Sequence, residues 1–255
     1  MLSHSATQLQ HFYNHQATKF SHTRKRPRPE FDHILSQIVT FPQSKLWPLR
    51  ILELGCGDGR LYGRLHSQGI AMEYTGVDIS KWLIDIAVSQ YPDAQWMVAE
   101  MSDFLIASPS QHRDIVIMVA SFHHLEEKER NLTAHEMYRV LCYEGVRMMT
   151  NRSFSQRFIS KYWKSILDSV VEWLFKFGTH DVRDLSIPRR SQDRTLHFFR
   201  LYHIFSRRSL TQLLQSVGFV VEQMCYVDQS GWLSPHRWKS RNLRTVVRKS
   251  LTLDD

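Results

Sequence analysis

Three glycines stand at alternate positions where they could bring a ligand against the main chain. The segment ILELGCGDGR places Gly55, Gly57 and Gly59 directly after an apolar run that ends at Leu54. Glycines at such a point let the backbone turn sharply and let a ligand approach it closely. The first N–H groups of a helix that follows have no partner within the helix, so they could bind a polar ligand.

The spacing of these glycines departs from that of a typical dinucleotide site. That site requires G-x-G-x-x-G, which makes room for a pyrophosphate, whereas here the third glycine comes one residue earlier. Glu53 stands just before the glycines, where its carboxylate could face a cationic group. The combination suits a ligand with an amino-acid end, and S-adenosylmethionine is such a ligand.

Two further acidic residues end the next apolar runs and could complete a nucleoside site. Asp78 ends TGVD, about 20 residues after the glycines, where a carboxylate can accept two hydrogen bonds from a ribose diol. Glu100 ends MVAE, and Met101 follows it, so the two residues could flank an adenine ring. Asp103 is the alternative to Glu100 in that role.

An alternation of strands and helices must position these side chains. Short apolar runs that read as strands alternate with periodic segments that read as helices, which predicts a parallel sheet covered on both faces. The predicted strands are Leu49–Leu54, Glu73–Asp78, Gln95–Glu100, Asp114–Ser121 and Gly145–Asn151. The predicted helices between them are Gly59–Gln68, Lys81–Gln90 and Glu126–Leu141.

The alternation stops after Asn151. The segment that follows is helical at first and then polar and basic, so we predict a helical lid inserted into an α/β domain. Two strand-like runs, HFFRLYHIF and FVVEQMCYV, then flank a helix that Ser206 begins and Gly218 ends. The predicted divisions are an N-terminal helical and basic segment (1–48), a binding core (49–151), the lid (152–196), closing strands and helix (197–229) and a basic tail (230–255).

Composition and charge narrow the functional classes. The chain has 255 residues, 42% of them hydrophobic, which is enough for a full core and excludes disorder by composition. Its 33 Lys and Arg residues outnumber 25 Asp and Glu residues, for a net charge of +8. That balance favours a polyanionic partner such as nucleic acid or an anionic membrane surface.

Several site classes find no support in the sequence. The three cysteines are far apart, so neither a zinc ribbon nor a disulfide framework is indicated, and we predict a reducing, cytoplasmic location. The N-terminus has no apolar signal-peptide region, and no run reaches the length of a membrane span. His123 and His124 are adjacent, but no third ligand is spaced to join them, so no metal site is predicted.

The region from Leu49 to about Asn151, with the closing strands, resembles the class I S-adenosylmethionine-dependent methyltransferases. The resemblance implies a Rossmann-like sheet of seven strands whose last strand is antiparallel. It implies the methionine-side loop, the ribose acceptor and the adenine contacts at matching positions. These are Glu53, Gly55, Gly57 and Gly59 for the loop, Asp78 for ribose, and Glu100 and Met101 for adenine.

Two separated segments resemble one subgroup, the tRNA wobble-uridine carboxymethyl methyltransferases. FSHTRKRPRP is similar to the subgroup signature F-S-x-T-R-x-x-P-W-P, with Arg28 at the tryptophan position. HDVRDLSIP and HFFRLYHIFSRRSL are similar to its D-V-x-x-P-W and R-Y-Y-H-x-F segments, with Leu201 at a tyrosine position. The chain also reads MMTNRSF after the fifth strand, where the subgroup reads Y-V-W-A.

The subgroup resemblance implies methyl ester formation on a carboxylate carried by a tRNA base. A carboxylate is already ionised at neutral pH, so the reaction needs no strong general base. Arginine is the natural clamp, since its planar fork bonds both carboxylate oxygens. We predict Arg24, Arg200 and His203 as catalytic residues and Thr23, Tyr202 and His123 as substrate contacts, with His124 as the alternative to His123. A pairing of Arg200 with Asp181 or Asp184 is the structural alternative.

The basic residues would then contact phosphates of tRNA. They form clusters at Arg24–Arg28, at Arg189, Arg190 and Arg194, and in the tail, where Trp232 and Trp238 could stack on bases. The resemblance also implies a small zinc-containing activator protein as a partner. Two other functions remain open: a small-molecule O- or N-methyltransferase whose aromatic lid closes over an apolar substrate, and a tRNA-binding scaffold without turnover.

Overall fold

The strands of the protein form one large and one small sheet. The computed structural model describes residues 7–8, 10–11, 13, 29–41, 48–175, 181–190 and 197–250. The strands are β1 (Leu49–Leu54), β2 (Met72–Asp78), β3 (Gln95–Val98), β4 (Arg113–Val119), β5 (Leu141–Arg152), β6 (Asp184–Arg190), β7 (His197–His203), β8 (Phe219–Val227) and β9 (Asn242–Lys249).

Helices follow the strands and cover both faces of the large sheet. They are α1 (Pro29–Val39), α2 (Arg60–His66), α3 (Lys81–Gln90), α4 (Met101–Ala107), α5 (Glu127–Val140), α6 (Gln156–Phe175) and α7 (Arg207–Ser216). Two short 3-10 helices are Phe122–His124 and Arg237–Lys239. Ser206 begins α7 as predicted, because its hydroxyl accepts a hydrogen bond from Ser209 N at 3.0 Å.

The large sheet has the predicted seven strands in the order β3-β2-β1-β4-β5-β9-β8. Strands β1 to β5 pair in parallel, whereas β9 is antiparallel to both β5 and β8. The prediction of a Rossmann-like sheet whose last strand is antiparallel is therefore confirmed. Because the parallel strands end at one edge, the residues that follow β1, β2, β4 and β5 meet there.

Two apolar cores hold the helices to the sheet. On one face, side chains of α5 and α7, such as Met137 and Leu210, pack with Phe122 and Phe219. On the other face, Ile34 of α1 and Leu61 of α2 pack with buried residues of β1 and β4. Removing these side chains from water supplies the main free energy that holds the two layers together.

The predicted basic tail was wrong over Asn242–Lys249, which forms β9 in the interior of the large sheet. The strand was not predicted because its sequence is rich in cations, two of which, Arg248 and Lys249, are hydrogen-bonded to other elements rather than fully exposed. Lys249 Nζ donates to the carbonyls of Tyr138 and Leu141 at 2.9 and 3.0 Å. Arg248 pairs with Glu222 of the neighbouring strand. Thr245, Val246 and Val247 are buried between the helical layers.

The placement of HFFRLYHIF among the closing strands of the core was also wrong. Its first part is β7, which pairs antiparallel with β6 in a separate two-stranded sheet. A small third core holds this sheet against α6, with Phe158, Leu185, Ile187 and Tyr202 among its members. The lid therefore extends through β7, and α6 is kinked at Tyr162, whose φ and ψ are not helical.

The described residues contain no helix long and apolar enough to cross a membrane. They also contain no group of three His, Cys, Asp or Glu side chains arranged to hold a metal ion.

Candidate functional site

A cavity of about 590 Å³ lies at the edge where the parallel strands end. Nine of the predicted site residues line it together. They are Glu53, Gly55, Gly57, Asp78, Glu100, Met101, His123, Arg200 and Tyr202.

The glycine turn after β1 and the acid that ends β2 form one hydrogen-bonded unit. Gly55 and Gly57 have φ of 77° and 59°, in the left-handed region that glycine adopts without strain. A Cβ on Gly55 would lie 2.6 Å from Ser121 Cβ, so no side chain fits there. The Asp78 carboxylate accepts from Gly57 N and from Ser80 N, each at 2.9 Å.

Burial raises the pKa of Asp78 to about 6, although the hydrogen bonds from Ser80 N and Gly57 N oppose the shift. An ionised carboxylate at the end of β2 can accept hydrogen bonds from both hydroxyls of a ribose. The position and chemistry of Asp78 therefore fit the predicted ribose acceptor.

Glu53 and Glu100 stand on either side of this unit. Glu53 is buried and accepts a hydrogen bond from the Tyr74 hydroxyl. Glu100 begins α4, and its Oε2 accepts from Ser102 N at 2.6 Å and Asp103 N at 3.2 Å. Asp103, the alternative adenine contact, is not among the residues that line the cavity.

These groups together fit S-adenosylmethionine. The Glu53 carboxylate lies in the cavity beside the glycine turn, where the ammonium group is predicted to bind, and the residues predicted to contact ribose and adenine, Asp78, Glu100 and Met101, line the same cavity. Gly59 does not line the cavity. A Cβ there would lie 2.7 Å from the Trp96 ring, so the close approach of that ring accounts for a glycine at this position.

Arg200 reaches the cavity from β7 and is held by aromatic rings. Its Nη2 lies 2.6 Å from His124 Nε2 and also donates to the Tyr13 hydroxyl. The guanidinium carbon lies 5.0 Å from the ring centre of Tyr13 and 5.4 Å from that of Tyr202. His124 Nδ1 lies 2.6 Å from the Leu201 carbonyl oxygen, which can only accept, so Nδ1 carries the proton and Nε2 accepts from Arg200.

The predicted alternative pairing of Arg200 does not occur, because other arginines occupy both carboxylates. Arg130 donates to Asp184 at 3.0 and 3.2 Å, and Arg183 pairs with Asp181 at 2.6 Å.

His123 lies in the cavity wall, with its ring stacked on Tyr202 at 5.3 Å. Burial, followed by the charges of Arg200 and Arg152, holds the pKa of His123 well below its usual value. The imidazole is therefore neutral near pH 7 and a weak base.

His203 does not reach the cavity. It is the last residue of β7, and its side chain is buried with Nδ1 2.6 Å from Asp184 Oδ1. Burial alone would raise the pKa of Asp184, but hydrogen bonds from His203 and Arg130 outweigh it, and the pKa is lowered. Because Arg130 lies on α5 and Asp184 on β6, this cluster ties the lid to the core, and the geometry gives His203 a structural position.

Sequence reasoning missed several lining residues. These are Tyr13, Arg152, Gln229, Arg241 and Asn242, whereas His124 is the predicted alternative to His123 as a substrate contact. For Arg152 a signal existed, since it lies in MMTNRSF, where the chain departs from the subgroup pattern. Ala120 also lines the cavity with φ of 58°, a strained value for a residue with a side chain. The predicted residues Thr23 and Arg24, and the cluster Arg24–Arg28, lie outside the described residues.

Charge is divided across the cavity. Three acids lie in one half of the sheet: Glu53 near the end of β1, Asp78 at the end of β2 and Glu100 just after β3. The other half supplies Arg152 at the end of β5 and Arg241 just before β9, and the lid adds Arg200. The register that sets Arg152 opposite Asn242 brings two of these cations to the same edge.

The remaining charged residues of the cavity wall have partners of their own. Arg60 pairs with Asp58 at 2.8 Å, Glu30 accepts from Asn242 Nδ2 at 2.7 Å, and Glu129 accepts from Glu126 N at 3.1 Å. The three acids therefore lie where the donor is predicted, and the three arginines lie in the rest of the cavity together with Glu30, whose charge is retained.

Comparison with known proteins agrees with this geometry. Residues 51–145 match the family model described as a methyltransferase domain. The chain is 24% identical over 226 residues to tRNA (carboxymethyluridine(34)-5-O)-methyltransferase of Schizosaccharomyces pombe, covering 86% of this chain and 91% of that protein.

Solved structures share the fold at low identity. A complex of the Trm112 methyltransferase activator with a methyltransferase from Haloferax volcanii matches with a TM-score of 0.67 and 13% identity, over 96% of this chain and 99% of that one. The 1,6-didemethyltoxoflavin-N1-methyltransferase of Burkholderia thailandensis, solved with S-adenosylhomocysteine, matches with a TM-score of 0.62 and 14% identity, over 98% of this chain and 92% of that one.

Proposed function

We propose that this chain, a class I S-adenosylmethionine-dependent methyltransferase, forms a methyl ester on the carboxylate of a carboxymethyl-modified wobble uridine in tRNA. The observation that carries the proposal is the division of charge in the cavity. Glu53, Asp78 and Glu100 border the donor half, and Arg152, Arg200 and Arg241 border the acceptor half, where the adjoining acid Glu30 accepts a hydrogen bond from Asn242.

The acceptor half suits an anion that is already ionised. S-adenosylmethionine, when bound, supplies an electrophilic methyl group, and the residues must bring an oxygen into line with it. Because both Nη2 hydrogens of Arg200 are donated to His124 and Tyr13, the guanidinium can offer Nη1 and its positive charge to a carboxylate from a fixed direction. Orientation of this kind can lower a barrier by roughly 7–11 kcal/mol.

The weak basicity of the site supports a carboxylate over a hydroxyl acceptor. Esterification removes no proton, because a carboxylic acid of pKa near 4 is ionised at neutral pH. Methylation of a hydroxyl would require a base, and the pKa of the cavity imidazole of His123 is held well below its usual value. The tRNA methyltransferase of Schizosaccharomyces pombe, whose name describes a carboxymethyluridine substrate, supports the same acceptor.

The alternative of a small apolar acceptor under an aromatic lid gains no support. Trp163, Trp173 and Phe175 of α6 do not line the cavity, and Phe175 is 80% exposed. Phe177, the fourth aromatic residue of the predicted lid cluster, lies outside the described residues.

The activator protein is proposed to add to the free edge of β3. β3 is an outer strand of the large sheet, and Met97 and Val98 on it are each 47% exposed. An exposed edge strand with apolar side chains is suited to pair with a strand of another chain. The complex of Haloferax volcanii, which contains the Trm112 activator, supports a partner of this kind.

The test of the proposed function is methyl transfer to defined tRNA. Purified protein, with and without the candidate activator, is incubated with labelled S-adenosylmethionine and with tRNA that carries carboxymethyluridine. Nucleosides are then analysed by mass spectrometry. We expect the label in a base-sensitive methyl ester of the modified uridine, and tRNA lacking the carboxymethyl group is the control. Label found only in protein or in small metabolites would contradict the proposal.

A further inference from the structure

A second concave surface opens beside the active-site cavity, with a volume of about 610 Å³. We call it the basic groove. One wall is the start of α6, and the other is the loop around the 3-10 helix Arg237–Lys239. Its lining residues are Arg152, Ser155, Gln156, Arg157, Phe158, Ser160, Lys161, Tyr162, Gln229, Trp238, Lys239, Ser240 and Arg241.

The charge of the basic groove is of one sign. Five cations line it, Arg152, Arg157, Lys161, Lys239 and Arg241, and none of its described lining residues is acidic. The last four side chains are exposed. Within the part of the chain that the structure describes, these four have no carboxylate within 4 Å. Like charges that converge without counter-charges create a positive potential that an external polyanion can satisfy.

The two walls are joined by buried bonds, so the groove is a fixed surface. Ser153 Oγ and Ser240 Oγ lie 2.5 Å apart in a buried hydrogen bond between the walls. The backbone continues the connection, since Ser153 N donates to the Arg241 carbonyl at 3.3 Å. Arg241 N in turn donates to the Val227 carbonyl at 2.6 Å. The cations are therefore held in a set arrangement rather than on independent loops.

The basic groove continues directly into the active-site cavity. Arg152, Gln229 and Arg241 line both. A ligand that occupies the groove can therefore extend a reactive group into the cavity without leaving the surface.

The other groove residues favour a nucleic-acid backbone over an acidic peptide. Ser, Gln and Tyr groups in the lining can bond phosphate oxygens and ribose hydroxyls. Trp238 is 47% exposed, and the Arg237 guanidinium lies 4.5 Å from the centre of its ring. An exposed tryptophan beside a positively charged groove is a stacking platform for an unpaired base.

We infer that the basic groove binds the phosphates of the RNA strand that flanks the base in the cavity, with Trp238 stacked on a neighbouring unpaired base. This inference rests on the proposed tRNA substrate. It adds the α6 wall, with Arg157 and Lys161, to the basic clusters predicted from the sequence, and it places the Arg237–Lys239 loop of the tail opposite that wall in one groove.

The test compares two double variants that each remove two positive charges. Arg157→Ala with Lys161→Ala alters the groove, whereas Arg207→Ala with Arg208→Ala removes two exposed cations of α7 that line neither cavity. Affinity for a labelled anticodon stem–loop RNA is measured by fluorescence anisotropy at several salt concentrations. We expect the groove variant to bind roughly tenfold more weakly, with a salt slope reduced by about 2, and the control to bind as the wild type does.

Kinetic measurements of tRNA methylation distinguish a failure of this inference from a failure of the proposed function. With tRNA as substrate, the groove variant should show a raised KM and a kcat near that of the wild type. Equal RNA affinity in the two double variants would overturn the groove even if tRNA is methylated. RNA binding through the groove without esterification of tRNA would overturn the proposed function and leave the groove standing.

Two further measurements test whether each variant is folded and whether the groove prefers acidic protein to RNA. Binding of S-adenosylhomocysteine reports whether each variant is folded. If the α6 variant does not bind it, the RNA affinity of Lys239→Ala, on the opposite wall, is measured instead. Arg207→Ala is then the control. Unlabelled polyaspartate is the competitor. Displacement of RNA by polyaspartate as effective as that by unlabelled RNA at equal charge would indicate a surface for acidic proteins and contradict the inference.

Discussion

Arg200 donates a hydrogen bond from Nη2 to Nε2 of His124, across 2.6 Å. His124 can accept it because its Nδ1 donates to the carbonyl of Leu201, the residue next to Arg200 in β7. The lid strand therefore fixes the histidine that in turn fixes the lid arginine. This closed arrangement sets the direction of the guanidinium in the cavity.

The first prediction concerns this arrangement. Arg200→Lys keeps the charge but loses the fork and the bond geometry, so we expect kcat for tRNA esterification to fall by about 100-fold. Affinity for S-adenosylhomocysteine should be nearly unchanged, because Arg200 lies in the acceptor half. Arg183→Lys, a lid arginine paired with Asp181 away from the cavity, is the matched control.

A double-mutant cycle tests whether the two residues act as a unit. His124→Phe keeps a ring against Tyr202 but removes the acceptor nitrogen. We expect a coupling free energy of about 1 kcal/mol or more between His124→Phe and Arg200→Lys, measured from kcat/KM. Additive effects would show that His124 does not position Arg200.

The second prediction is a pH dependence of donor binding. Burial raises the pKa of Asp78 to about 6, and the ionised form is the one that accepts both ribose hydrogen bonds. Lowering the pH through about 6 therefore protonates Asp78, and affinity for S-adenosylhomocysteine should fall. Calorimetric titrations from pH 5 to 8 measure it. Asp78→Asn should bind weakly at every pH, without this step; a step that persists in the variant would assign the titration to another group.

The third prediction separates steric fit from backbone strain at the glycine turn. Gly55→Ala places a methyl group 2.6 Å from Ser121 Cβ at a φ of 77°, so donor binding should be lost. Gly69→Ala has a similar φ of 70° but meets nothing within 4 Å, so it reports the cost of strain alone, about 1 kcal/mol of the free energy of unfolding. Adding Ser121→Gly to Gly55→Ala should restore part of the binding.

The fourth prediction concerns the tie between lid and core. Asp184→Ala leaves Arg130, whose side chain is only 4% exposed, without its carboxylate, and should lower the free energy of unfolding by about 3 kcal/mol or more. Asp181→Ala, which breaks the more exposed pair with Arg183, should cost about 1 kcal/mol or less. Urea unfolding of both variants measures the difference, and equal losses would contradict the role of the Arg130, Asp184 and His203 cluster.

The pH dependence of this tie follows from the lowered pKa of Asp184. An acid whose pKa is lower in the folded state stabilises the fold above its unfolded pKa and loses that contribution as the pH falls through the folded value. The stability difference between wild type and Asp184→Ala should therefore shrink below about pH 4.

The donor half of the site could be predicted from the sequence because its signals are local. Each acid stands at the end of an apolar run, and the topology of parallel strands brings such ends together. Glu53, Asp78 and Glu100 all lie in one cavity for this reason. Their roles toward the cofactor stay predictions, as does the cytoplasmic location.

The acceptor half could not be predicted in the same way, because it is assembled by pairings distant in sequence. Arg152 and Arg241 meet only because β9 enters the sheet beside β5. The strand β9 was not predicted because its sequence is rich in cations. The partners of Arg248 and Lys249 lie on other elements, so the sequence alone does not show that these side chains are paired. His203 was predicted to be catalytic from the resemblance of its segment to the subgroup, and the sequence does not show that its side chain meets Asp184.

The position of β9 between β5 and β8 has a consequence for biosynthesis. Neither neighbour can complete its hydrogen bonding until Asn242–Lys249 has left the ribosome. A chain interrupted before that point would present two unpaired strand edges to other molecules. Assembly of the sheet must therefore wait until residue 249 has been translated, which makes termination before Asn242 a route to aggregation rather than to a partly active enzyme.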